Sequence, residues 1–81
     1  MALRKLDVRG VKCPIPVVKA KKEIDTMAVG DQLEVLATDP GSMPDFQGWA
    51  KTSKHAILKA QRKETDEKGQ EVYVHLLERK A

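Results

Sequence analysis

The order of hydrophobic periods along this chain leaves few folds open. Residues 3–8 (LRKLDV) alternate, with Leu6 and Val8 on one face, and Gly10 closes the segment as a short strand. From Pro14 to about Met27 the period changes: Val17, Ala20, Ile24 and Met27 recur at helical spacing, with Lys19, Lys22 and Glu23 toward the other side. Gly30 marks a helix stop followed by a turn. Residues 32–38 (QLEVLAT) alternate again, with Leu33, Val35 and Ala37 facing one way. The next four residues, DPGS, spell a turn. Asp39 precedes a proline, Gly41 is free to take positive φ, and Ser42 is placed to cap a second helix, with Asp45 three residues on approximating a capping box in which Asp stands for the usual Glu. Phe46, Trp49, Ala50 and Ser53 form the narrow stripe of that helix. Residues 56–63 and 71–78 read as two further strands joined by the polar hairpin loop TDEKGQ.

The order is βαβαββ. Helices of this length cannot bury their apolar stripes alone, so both are expected on one face of a four-stranded mixed sheet. The result is an α/β (α+β) two-layer sandwich with its other sheet face uncovered, forming a single domain over residues 1–81. In the fourth strand Val72, Val74 and Leu76 are expected to face the helices. Tyr73, His75 and Leu77 are expected on the open face with Leu36 and Ile57, as a candidate contact surface. Trp49 reads as core.

Composition narrows the function. Hydrophobic residues at 41% and charged residues at 33% describe a globular chain rather than a disordered one. No apolar run approaches the ~20 residues of a membrane helix. The single cysteine, Cys13, rules out an internal disulfide and points to a reducing, cytoplasmic setting. One cysteine also cannot build a disulfide oxidoreductase or a cysteine-based zinc site, and no metal or cofactor is expected. The net charge of +3 is mild, and aromatic residues at 4% are too few for a nucleic-acid stacking platform. The basic balance suits an acidic protein partner at least as well.

Cys13 stands in the stretch GVKCPIPVVKAKKEI, at a helix entrance stiffened by Pro14 and Pro16. If the first two strands are parallel, the loop carrying Cys13 and the Asp39–Ser42 turn emerge together at the carboxyl ends of the strands, where α/β sheets place their sites. A residue before proline is pushed toward extended backbone, which sets Cys13 at or just before the N-cap. Pro14 suits the first helical position, although Pro16 disfavours helical angles at Ile15 and the helix could begin there instead. The helix end and the adjacent Lys12, with Arg9 and Lys19 further off, favour the thiolate. The two prolines lack N–H donors, so the stabilisation is modest. Two readings of the residues stay open: a small buried hydrophobe, or a presented thiol. Asp39 reads as a turn-former and not as a base, since a carboxylate beside a thiolate raises the thiol pKa. His55, near the end of the second helix, and His75, on the open face, are not expected in catalysis. Lys19, Lys21 and Lys22 are either a docking patch or a solvated helix side.

Taken together, Leu6-Asp7, Gly10, Cys13-Pro14-Ile15-Pro16, the Gly30 turn, Asp39-Pro40-Gly41, Asp45 and Trp49 closely resemble the TusA-like (SirA-like) sulfurtransferase family. The resemblance spans nearly the whole chain in order, and departs at Ser53-Lys54-His55, where a glycine is expected before the histidine. It implies the same βαβαββ fold. It also implies that Cys13 accepts sulfane sulfur as a persulfide and passes it to a partner protein's thiol, without a cofactor. Pro14, Pro16, Asp39 and Gly41 would shape the site, and Arg9, Lys12, Lys19 and Lys22 are candidate docking residues. The implied partners are a sulfur donor (a cysteine desulfurase or rhodanese-like protein) and a thiol acceptor (a DsrE-like protein or a tRNA-thiolation relay). The pathways implied are dissimilatory sulfur metabolism, tRNA 2-thiouridine formation and molybdenum-cofactor synthesis. A monomer with neither membrane nor nucleic acid as partner is expected. The alternatives are a small basic RNA-binding or regulatory module and a thiol redox sensor.

Overall fold

Leu33, Val35 and Ala37 are fully buried, and the strand that carries them organises the sheet. The computed structural model describes residues 2–12 and 14–80. These form β1 (Leu3–Val8), α1 (Ile15–Asp25), β2 (Gln32–Ala37), α2 (Ser42–Thr52), β3 (Ala56–Thr65) and β4 (Glu71–Arg79). The described strands make one four-stranded sheet in the order β1-β2-β4-β3. β1 and β2 are parallel, as a strand–helix–strand crossover requires, with Val8 opposite Ala37. β4 is antiparallel to both β2 and β3. The sheet is therefore mixed, as the element order predicts.

Both helices cover the face that carries Leu33, Val35 and Ala37. α1 buries Pro16, Ala20 and Ile24, and Met27 just beyond its end; α2 buries Ser42 and Phe46. Trp49 packs half-buried on this core, its ring edge-on to Phe46 at 6.1 Å. α1 ends earlier than its stripe suggests. Thr26 caps it, its Oγ1 donating to the Glu23 carbonyl at 2.7 Å, and Gly30 takes its positive φ of 94° in the turn that follows. From β4, the Arg79 guanidinium donates to the Ile24 carbonyl at 2.7 Å, setting a cation at the negative end of α1.

The facing of β4 is the reverse of the expectation. Leu77 and His75 lie opposite Leu33 and Val35, so they point under the helices and are fully buried; Tyr73, opposite Ala37, shares that face. Leu76, Val74 and Val72 turn to the other side. Val72, Val74 and Leu76 are the more apolar set in this strand, and the polar character of His75 misleads. Pairing with β2 decides the matter, because a one-residue slip would exchange the two faces of the whole strand.

The face away from the helices is not bare. Val72 and Val74 are 5% and 1% exposed there. Arg62, opposite Val74, bonds Glu64 at 2.6 Å and reaches Glu34 at 3.5 Å, so its stem and the two carboxylates roof the valines. The expected contact surface is thus split: Leu36 and Ile57 lie on this face, Tyr73 and Leu77 on the other. Since Arg62 is exposed, Arg62→Ala should lower stability only slightly, chiefly through lost cover over Val74, as read from urea midpoints.

Candidate functional site

The parallel pairing of β1 and β2 sends the β1–α1 and β2–α2 loops out at the same end of the sheet. The two loops are bonded to each other: the Gly10 N–H donates to Thr38 Oγ1 at 2.8 Å. Gly10 has φ of +82°, the left-handed region, and a side chain there would meet nothing within 4 Å. The requirement for glycine is therefore one of backbone strain alone. Gly10→Ala should cost ~1–2 kcal/mol, the penalty for an L-residue in that region, measurable as a lowered denaturation midpoint. Just before it, Asp7 closes on Arg9. Its carboxylate accepts from Arg9 Nη2 at 2.8 Å, Nε at 2.9 Å and the Arg9 backbone N–H at 3.0 Å. The Arg9 side chain holds the Asp7 carboxyl below the usual carboxylate range, and Asp7 raises the guanidinium in turn. Arg9 is thus committed first to shaping its own loop.

Cys13, the sequence-derived nucleophile, lies outside the described residues. Its neighbours are described. Lys12, Pro14 and Ile15 are exposed, and the Ile15 N–H donates to the Lys12 carbonyl at 3.1 Å. Pro14 is the N-cap of α1, and Pro16 sits buried at its second position. The helix therefore starts one residue after Pro14 and does not wait for Pro16. Ile15, Val18, Lys19 and Lys22 fall on one side of α1 at helical spacing, and all four are solvent-exposed. The sequence reading gave Ile15 and Val18 no face, since its helical stripe ran through Val17, Ala20, Ile24 and Met27, and the exposure of these two large apolar side chains emerges only in the structure.

The facing turn forms as its composition suggests, with two differences. Asp39 is a turn-former: Oδ1 accepts the Gly41 N–H at 2.9 Å and its carbonyl accepts the Ser42 N–H at 3.0 Å. Gly41, however, has ordinary angles, φ −63° and ψ −17°, and is itself the N-cap. Glycine is favoured there by space, since a Cβ would lie 3.3 Å from Asp39 Oδ1. Ser42 makes no capping bond and the Ser42–Asp45 capping box does not form. Its side chain turns inward instead, where Oγ lies 2.9 Å from Nε2 of His75. Gln61 Nε2 stands 3.0 Å from His75 Nδ1, and Phe46 stacks on the imidazole at 4.4 Å. Burial pushes the His75 pKa down to about 4. Sequence reading missed this buried group because Ser42, Gln61 and His75 come from three elements.

A profile described as Sulfurtransferase TusA matches residues 4–76, from β1 through most of β4. The chain belongs to the TusA sulfurtransferase family. It is 51% identical over 70 residues to a protein of Halobacterium salinarum provisionally named a sulfur carrier, spanning 86% of this chain and 80% of that one. It is also 40% identical over 57 residues to the sulfur carrier protein TusA of Allochromatium vinosum, covering 70% and 75% of the two chains. The fold is similar to the crystal structure of the SirA-like protein from Desulfitobacterium hafniense, with a TM-score of 0.63 at 22% identity over 94% and 95% of the chains. Sulfur carriage is the function class of this TusA-family chain, and such carriers work between donor and acceptor proteins.

His55 sits away from the TusA-family loop. β3 starts beside Arg79, at the end where β2 begins, so His55 is at the opposite edge of the sheet from Gly10 and Thr38. No helix among the described residues is long and apolar enough to cross a membrane, and they contain no cluster of three potential metal ligands.

Proposed function

We propose that this TusA-family chain is a single-domain cytoplasmic sulfur carrier, acting as a monomer, in which Cys13 holds sulfane sulfur as a persulfide and relays it to a partner thiol. The observation that carries this is the position of the CPIP run. The family match spans it, and its described neighbours Lys12 and Pro14 are exposed in the loop that follows β1, at the carboxyl ends of two parallel strands, which supports a reachable group at position 13. In loading, the Cys13 thiolate attacks the outer sulfur of a donor persulfide. A new S–S bond forms at Cys13 as the donor's S–S bond breaks, and the donor leaves as a thiolate. In unloading, an acceptor thiolate attacks the outer sulfur and Cys13 departs as thiolate. Neither step needs an external oxidant. A chain with no second cysteine cannot resolve its own persulfide into a disulfide.

Each site residue has a part in this reading. Pro14 and Pro16 stiffen the entrance so that the loop does not fold over the cargo, while Asp39 and Gly41 shape the facing turn. Lys12 offsets the charge of a persulfide anion. Lys19 and Lys22, beside Ile15 and Val18, offer a basic and apolar ridge to the donor and acceptor, and Arg9, bonded to Asp7, is a further basic group on the β1–α1 loop. A cysteine desulfurase or a rhodanese-like protein fits the donor's role, and a DsrE-like or tRNA-thiolation protein fits the acceptor's. The test is to load the protein from each class of donor and read its intact mass before and after reductant, then to follow the sulfur into a candidate acceptor. A reducible gain of one sulfur is the expected result. Absence of any gain from desulfurase, thiosulfate or polysulfide would refute it.

A further inference from the structure

The buried group around His75 has a determinate proton arrangement. Gln61 Oε1 accepts from Gln47 Nε2 at 2.7 Å, and the Met43 carbonyl, which can only accept, fixes the nitrogen end of the Gln61 amide. Its Nε2 donates to the Met43 carbonyl at 2.9 Å, and the second hydrogen on that nitrogen faces His75 Nδ1 at 3.0 Å. An amide nitrogen cannot accept, so Nδ1 is the bare ring nitrogen. The imidazole proton then lies on Nε2, and Nε2 donates to Ser42 Oγ at 2.9 Å. Both partners are fully buried.

Ser42 is the first residue of α2, and that helix start has no side-chain cap. It follows directly on the Asp39–Gly41 turn, and Thr38 on the other flank of the turn receives the Gly10 N–H from the loop that leads to Cys13. A leucine at position 75 would fill comparable space without burying ring nitrogens, so packing alone gives no reason for an imidazole here. We infer that His75 is a positioning residue: locked by Gln61 as the Nε2–H tautomer, it anchors Ser42 from below and so fixes the turn that stands beside the thiol loop. Its meaning for transfer rests on the reading of Cys13 as the sulfur-bearing group, whereas the anchoring itself does not.

The test compares wild type with His75→Leu, His75→Gln and Ser42→Ala. Nitrogen NMR of the imidazole should show the proton on Nε2. In His75→Leu and in Ser42→Ala, amide exchange at Gly10 and Gly41 should quicken by about five- to tenfold, the worth of one net hydrogen bond, while amides of β2 and β4 stay protected. His75→Gln, whose amide can donate to Ser42 Oγ, should restore most of the protection. With polysulfide-loaded protein, transfer to dithiothreitol should slow by a similar factor in His75→Leu and recover in His75→Gln, at equal loading. Should His75→Leu not fold, Ser42→Ala, which leaves the imidazole in place, carries the same comparison. An Nδ1–H spectrum, unchanged exchange at Gly10 and Gly41, or transfer unaffected by a loosened turn would each overturn the inference. Wild-type protein that takes up no sulfur would sink the carrier reading and leave the exchange result standing.

Discussion

Cys13→Ser should take up no sulfur from any donor and pass none on. The substitution replaces the atom that must form the new S–S bond. A serine hydroxyl is not ionised near neutral pH and makes no stable bond to sulfane sulfur. No other thiol can substitute, because the chain has one cysteine. The loss should therefore be complete rather than graded. The backbone constraint from Pro14 is unaltered by the exchange, and stability should stay within ~1 kcal/mol of wild type, so the effect cannot be attributed to unfolding. Intact mass before and after reductant gives the readout, with a urea titration of the same samples as the control. Sulfur uptake that survives in Cys13→Ser would mean that the cargo sits elsewhere.

Acidification weakens the fold well before its carboxylates are protonated. His75 titrates near 4 when folded, because burial disfavours the charged ring, against 6.5 for the ordinary group. As pH falls below ~6.5 the unfolded chain takes up the proton first, and the equilibrium shifts toward it. The stability associated with keeping this ring neutral is whole above that point and declines as pH falls toward 4. A shift of this size corresponds to ~3 kcal/mol. Ser42 and Gln61, the groups bonded to the ring, are uncharged and the stacked Phe46 is apolar, so neither offers the imidazolium a counter-charge. The carboxyls of Asp7 and Asp31 are held low by the Arg9 side chain and by the Ala2 backbone N–H respectively. Their contributions are present above the ordinary carboxylate pKa and fade only at lower pH. Urea midpoints recorded between pH ~7 and ~4 should fall in wild type, and His75→Gln should flatten the upper part of that decline. An equal decline in both proteins would show that the histidine is not its source.

How far the molecule was legible in its sequence depends on whether a feature is local. β1, β2 and α1 were readable because Leu6 and Val8, Leu33 and Val35, and Ala20 and Ile24 repeat at the period of their own element, and these residues line the core. The Asp39 turn was readable because its bonds run within three residues. The face of β4 was not, since Val72, Val74 and Leu76 are much the more apolar set, yet pairing with β2 turns Tyr73, His75 and Leu77 under the helices. Ser42 was misread for a related reason. Its type and position suit an N-cap, but a partner 33 residues away holds its hydroxyl. Ile15 and Val18 lay off the stripe of Val17, Ala20, Ile24 and Met27, and nothing in their apolar type announces that they stay exposed.

The order of elements, the family pattern and the lone thiol set just before two stiffening prolines belong to the chain itself, since each rests on neighbours in sequence and on what prolines and glycines permit. Which side of β4 met the helices, and that a histidine ended beneath the start of α2, came only with the assembled sheet. Strand pairing sets the orientation of every side chain at once, and no short window of residues contains the partner strand.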